Sequence, residues 1–225
     1  MRAENIKDFL LRLFFEWGAK IYSKKLASGP EAELRRDFLS FVSAEPNDII
    51  LDVGCGPGWL AIWAAKHVRE VVGCDRSKRI IEIARRNASV ACVRNVSFQT
   101  ADATSLPFPD NFFDIVMATT VIYLLPDANK GFAELVRVAK PDGAIVTLDP
   151  DVSISPKKMW AYAKANRMSF KDAAKLVSWS YSARMYYPFP EEKLRGLFEK
   201  AGLKNVVLGR RLDGMVWFGK GEKPL

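Results

Sequence analysis

At 225 residues, 49% hydrophobic and 27% charged, the chain is long enough for one α/β core with additions and too short for two comfortable domains. Its three cysteines, Cys55, Cys74 and Cys92, have no C-x-x-C spacing, which argues against a disulfide framework or a metal site and leaves them as small buried thiols. Residues 1–150 hold 19 Lys and Arg against 19 Asp and Glu, whereas residues 151–225 hold 15 against 7, so the net charge of +8 lies in the last third, as a solvated face or a surface for an anionic substrate or partner.

Ile6, Phe9, Leu10, Leu13, Phe14, Trp17 and Ile21 recur at helical spacing, with Lys7, Asp8, Arg12 and Glu16 between them, and predict an amphipathic first helix. Arg12 and Glu16 interrupt its apolar run, so it cannot span a bilayer. With no signal peptide visible, a cytoplasmic protein is expected. Ser28-Gly29-Pro30 breaks the chain before a second helix over residues 31–42, with Leu34, Phe38, Leu39 and Val42 on one side. Ile49-Ile50-Leu51-Asp52-Val53 reads as a parallel strand covered on both faces, and Gly54, Gly56 and Gly58 punctuate its carboxyl end before Leu60, Ala61, Ile62, Ala64 and Ala65 resume helical spacing. A strand, a glycine turn and a helix start make a ligand cradle. Trp59 stands where the dinucleotide fingerprint needs its third glycine, which weakens an NAD reading.

The next strand ends in Val71-Val72-Gly73-Cys74-Asp75. A carboxylate about 20 residues after the glycines is placed to accept ribose hydroxyls, with Arg76 beside it. Ser77 caps a helix running to about Ala88, with Ile80, Ile81 and Ala84 inward. Val96-Ser97-Phe98-Gln99 forms a third strand followed by Asp102 and Ala103, and Ile115-Val116-Met117-Ala118 a fourth, beyond whose end Thr119, Thr120 and Tyr123 are pocket candidates. Pro126-Asp127 opens a helix carrying Phe132, Leu135, Val136 and Val138, and Lys140-Pro141-Asp142-Gly143 turns into a strand over residues 144–148. Residues 150–188 break the pattern with Trp160, Tyr162, Phe170, Trp179, Tyr181, Tyr186 and Tyr187 among seven Lys and Arg and two acids, and with helix starts at Ser155-Pro156 and Ser169. A helix over residues 191–201 and two strands, 205–209 and 215–219, follow. The Asp213-Gly214 turn between them is too short for a parallel crossover, so they form a hairpin.

The run Asp52-Val53-Gly54-Cys55-Gly56-Pro57-Gly58 with Asp75 and Asp102 resembles the class I S-adenosylmethionine-dependent methyltransferases, of the ubiquinone/menaquinone-methyltransferase type, over residues 48–149 and 190–220. The resemblance implies an α/β, doubly wound, mostly parallel seven-stranded sheet of order 3-2-1-4-5-7-6 with strand 7 antiparallel. In the family, elements before the first strand often fold over the pocket, so residues 1–45 are expected as a helical cover; length gives a single domain over residues 1–225, and the place of residues 150–188 above the carboxyl edge of the sheet makes them the expected helical cap over the substrate. The cofactor is S-adenosylmethionine, the product S-adenosylhomocysteine, and the expected binding residues are Asp52, Gly54, Cys55, Gly56, Gly58, Asp75, Arg76, Asp102 near the adenine, Ala103 and Thr119. Trp17, Tyr22, Tyr123, Tyr186 and Tyr187 are the substrate candidates. The reaction expected is methyl transfer to a small, partly apolar acceptor. The alternatives are RNA methylation, suggested by the basic aromatic insertion, and a nucleoside-binding protein without turnover. His67 lies away from the expected mouth, and no catalytic base is assigned.

Overall fold

The computed structural model describes residues 29–225, so the expected first helix, with Trp17 and Tyr22, lies outside the described residues. The described chain opens with α1 (Pro30–Val42), β1 (Ile49–Val53), α2 (Trp59–Ala64), β2 (Glu70–Asp75), α3 (Lys78–Val90) and β3 (Val96–Thr100). It continues with β4 (Phe113–Thr119), a 3-10 turn (Ile122–Leu124), α4 (Ala128–Val138) and β5 (Ala139–Pro150). After these come α5 (Pro156–Ala165), α6 (Phe170–Arg184), α7 (Glu191–Lys200), β6 (Lys204–Arg211) and β7 (Val216–Glu222). Four helices start where a side-chain oxygen replaces the missing carbonyl partner. Ser77, Asp127, Ser155 and Ser169 accept from the backbone N–H of Ile80, Lys130, Lys158 and Asp172.

The strands form one sheet in the expected order, β3-β2-β1-β4-β5-β7-β6. β1 to β5 pair in parallel, and β7 lies antiparallel between β5 and β6. The hairpin closes with Asp213 at φ 50° and Gly214 at φ 83°, and Met215 N–H donates to the Leu212 carbonyl at 3.1 Å. Positive φ at both central residues matches the right-handed twist of the flanking strands. Alternation along the buried strands feeds two cores. Leu51, Val53, Val116 and Ala118 face Phe132, Leu135 and Phe198, whereas Ile50, Ile115 and Met117 face Phe38, Leu60, Ile81 and Phe218.

Two local expectations are corrected. Lys140-Pro141-Asp142-Gly143 lies within β5 rather than ahead of it, as a bulge: Phe113 pairs with Ala139, and the next registered pair is Ile115 with Ala144. A Cβ on Gly143 would stand 2.8 Å from the Lys140 carbonyl oxygen and 3.0 Å from that of Asp114, so the tight bulge needs glycine there. Cys92 is exposed, because it follows the last turn of α3 at φ 55°, while Cys55 and Cys74 are buried.

Arg137 on α4 holds the proline and aromatic segment ahead of β4. Its guanidinium donates to the carbonyls of Leu106 and Phe108, each at 2.8 Å, and to Glu134 and Asp110. Glu134 in turn accepts from Leu106 N–H at 2.6 Å. The α5–α6 insertion leaves the sheet at Asp151 and returns at Phe189, and these two residues bridge each other. Met159, Ala163, Ala173, Leu176, Ser180 and Ala183 are the buried residues of its two helices. Of its aromatics, Tyr162, Trp179 and Tyr186 pack on the core, whereas Trp160, Phe170, Tyr181 and Tyr187 are exposed.

Candidate functional site

A cavity opens at the carboxyl ends of the parallel strands, where strand order reverses between β1 and β4. Its floor is Val53, Gly54 and Gly56; Asp75 and Arg76 come from the end of β2, and Ala101, Asp102 and Ala103 from the end of β3. The far wall runs from Thr119, Thr120 and Val121 to Leu124, Leu125 and Pro126. Seven of the ten residues expected to hold the cofactor therefore meet on one cavity: Gly54, Gly56, Asp75, Arg76, Asp102, Ala103 and Thr119.

The other three, Asp52, Cys55 and Gly58, do not line it. Cys55 turns into the core beneath the loop, its N–H donating to the Cys74 carbonyl at 2.9 Å, and burial pushes its thiol pKa well up. Gly58 answers a packing demand: at φ 81°, a Cβ there would stand 2.7 Å from the Phe98 ring. Gly54 has a different reason. At φ 68°, a Cβ there would stand 2.2 Å from Val121 Cγ2, so only glycine lets the loop and the far wall approach each other across the cavity floor.

Asp75 is held by the loop it faces, accepting from Gly56 N–H at 3.1 Å and Ser77 N–H at 3.0 Å. Burial raises its pKa, and these two donors and Arg76 oppose the rise. Asp102 both turns the chain and lines the cavity, accepting from the Thr104 N–H and hydroxyl at 2.8 Å each. Asp52 is fully buried behind the loop, where neither oxygen accepts a full hydrogen bond and the Ala61 backbone lends weak support. Burial pushes its pKa up to about 8, Arg35 pulling down and Asp75 adding repulsion.

The substrate candidates Tyr123, Tyr186 and Tyr187 come together, but none of them lines the cavity. Tyr123 is buried, its ring 6.3 Å from that of Tyr186, and its carbonyl accepts from Tyr187 N–H at 3.2 Å. The end of the insertion is thereby tied to the 3-10 turn that carries wall residue Leu124. Among the described residues, nothing from 150–188 lines the cavity. Asp149, fully buried beneath the same turn, accepts from Tyr123 N–H at 3.3 Å, and burial pushes its pKa up to about 7. His67 is exposed past the end of α2. Sequence reasoning missed Val121, Leu124 and Leu125; the available signal was their place directly after a buried strand, on the edge where such sheets bind ligands.

Asp52 and Asp149 make stability depend on pH. Both keep their proton in the folded chain far above the ordinary value of 3.8, so the folded state binds more protons than the unfolded one, and stability falls as pH climbs from about 4 to about 8. Each contributes a slope of up to about 1.4 kcal/mol per pH unit. Asp52→Asn is expected to flatten the profile above about pH 5, measured by urea unfolding across that window. An unchanged slope would mean that Asp52 titrates near its ordinary value.

The cavity suits a ligand that carries hydroxyl groups and positive charge at one end and an aromatic base at the other. A glycine floor admits close backbone approach, Asp75 and Asp102 line the cavity, and Ala101, Ala103, Val121, Leu124 and Leu125 supply apolar walls. Residues 51–147 match the methyltransferase domain family. The chain is 29% identical to the demethylmenaquinone methyltransferase of Symbiobacterium thermophilum, over 96% of this chain and 94% of that protein. It is 27% identical to the ubiquinone/menaquinone biosynthesis C-methyltransferase of Shewanella halifaxensis, over 99% of this chain and 94% of that one. Its fold is similar to that of a SAM-dependent methyltransferase from Aquifex aeolicus, with a TM-score of 0.64 at 19% identity, covering 89% of this chain and 96% of that chain.

Proposed function

Because the chain belongs to the class I S-adenosylmethionine-dependent methyltransferases, we propose that it methylates a small, partly apolar acceptor of the demethylated quinone class, at a ring carbon. The observation that carries the reading is the near full-length likeness to enzymes named for that chemistry, 96% of this chain against 94% of the relative. The apolar far wall of the cavity suits such an acceptor. The same likeness supports the small-molecule reading over RNA methylation and over a binding protein without turnover.

Bound S-adenosylmethionine supplies both the electrophilic methyl group and the thioether leaving group. The chain's part is to bind, orient and exclude water, while the electron-rich quinol ring attacks the methyl group through its unsubstituted carbon and the proton on that carbon leaves to solvent as the ring regains aromaticity. In this reading the backbone at Gly54 and Gly56 lies against the methionine portion, Asp75 accepts from the ribose hydroxyls, and Asp102 and Ala103 border the adenine. Thr119 closes the floor, with Asp52 buried behind the loop. Residues 150–188, with the N-terminal segment, act as the lobe that selects the acceptor through the tie between Tyr187 and Tyr123.

The test is production of S-adenosylhomocysteine when purified protein is given S-adenosylmethionine and a short-chain demethylated naphthoquinol, with transfer RNA as the parallel substrate. Turnover with the quinol is expected. Turnover with RNA alone would overturn the acceptor assignment.

A further inference from the structure

Helix α6 is apolar on two sides. Ala173, Leu176 and Ala183 are buried toward the core. Away from it, Phe170, Tyr181 and Met185 fall within an arc of about 60° at helical spacing, and they are 78%, 63% and 57% exposed. Trp160 of α5, itself 46% exposed, extends this stripe, its ring lying 5.9 Å from that of Phe170. Lys171 and Arg184, both exposed, flank the stripe, and Lys157, Lys158, Lys164 and Arg167 add exposed cations on α5 and the following turn. The insertion's own two acids do not offset these cations: Asp151 is buried and holds Trp217, and Asp172 is tied to Ser169 and Lys175.

Exposed aromatics aligned on one helix face and flanked by cations mark an interaction surface, and Trp and Tyr with Lys and Arg are the side chains that settle where hydrocarbon meets phosphate. We infer that the α5–α6 lobe docks on an anionic lipid bilayer, Trp160, Phe170 and Tyr181 entering the headgroup region while Lys171 and Arg184 meet lipid phosphates. A convex helix face with its aromatics at the centre and its cations at the margins fits a flat two-layered surface. Single-stranded RNA instead needs a groove in which bases stack while phosphates run alongside. Among the described residues no helix is long and apolar enough to cross a membrane. Docking would bring the lobe tied to the cavity wall to the phase in which an apolar acceptor dissolves. That link rests on the proposed acceptor; the binding itself does not.

The test is co-sedimentation of the full chain with vesicles of phosphatidylcholine alone or mixed with phosphatidylglycerol. Binding is expected to the anionic vesicles and to weaken with salt. Two double variants, Phe170→Ser with Tyr181→Ser and Lys171→Glu with Arg184→Glu, should each lose about tenfold or more in partitioning. Both should keep parental affinity for S-adenosylmethionine, which shows that they are folded. Parental protein left in the supernatant with anionic vesicles, or variants that bind as well as the parent, would overturn the inference. So would either of two outcomes without vesicle binding: retention of single-stranded RNA, or self-association, lost in the variants. Vesicle binding is read without methyl transfer, so an inactive quinol assay and a failed docking assay are separate results.

Discussion

Replacing Asp75 by Ala is expected to weaken S-adenosylmethionine binding by about 10- to 150-fold, read by titration calorimetry. A carboxylate that accepts from both ribose hydroxyls makes charge-assisted hydrogen bonds worth on the order of 1.5 to 3 kcal/mol. Asp75 has a second duty, since it anchors the N–H groups of Gly56 and Ser77 and thereby fixes the loop against which the ligand lies. Asp75→Asn separates the two duties. It keeps one acceptor oxygen for the backbone but turns the other into a donor, so it retains part of the loop geometry and loses one ribose contact. Its affinity should fall between those of the parent and the Ala variant. Parental affinity in Asp75→Ala would remove this residue from the site, and tighter binding of NAD than of S-adenosylmethionine would overturn the cofactor.

Trp217→Ala is expected to cost about 3 to 5 kcal/mol of stability, a large share of what a single domain has. The indole is 2% exposed, and its N–H donates to Asp151 Oδ2 at 2.9 Å and to the Phe189 carbonyl at 3.2 Å. Those two residues are where the insertion leaves the sheet and returns, and Phe189 N–H also donates to the Pro150 carbonyl at 2.9 Å. One side chain on β7 thus holds both ends of the insertion, and Arg210 covers its ring with a guanidinium 4.4 Å from the ring centre. Truncation leaves a cavity, a buried carboxylate oxygen without its donor, and a loosened stem. Trp217→Phe keeps most of the volume and removes only the N–H, so about 1 to 3 kcal/mol is expected. Urea unfolding measures both losses, and hydrogen exchange in residues 156–184 should quicken more than exchange in β1 and β4. A loss under about 1 kcal/mol for Trp217→Ala would show that the insertion is held by its helix packing alone.

How much of this was legible in the chain follows from how far apart the cooperating residues lie. The glycine loop, Asp75, Ser77 and the Asp213-Gly214 hairpin turn are local. Each rests on a strand end, a cap or a turn whose geometry is set within a few residues, so alternation, helical spacing and turn chemistry were enough to place them. The family resemblance then supplied the strand order. The far wall was not local. Val121 meets Gly54 only because β4 lies beside β1, and a sequence cannot display that adjacency until the sheet is assembled. The same distance hid Arg137 reaching the carbonyls of Leu106 and Phe108, and Trp217 closing on Asp151 and Phe189. Composition could not tell which aromatics of the insertion face inward, because α6 is apolar on two sides and only its packing on the core leaves Phe170 and Tyr181 outside. Side-chain chemistry and short-range spacing thus determined the elements and most of the cavity floor. The far wall and the burial of Asp52 and Asp149 were decided by tertiary packing, which alone sets which distant groups share one low-dielectric interior.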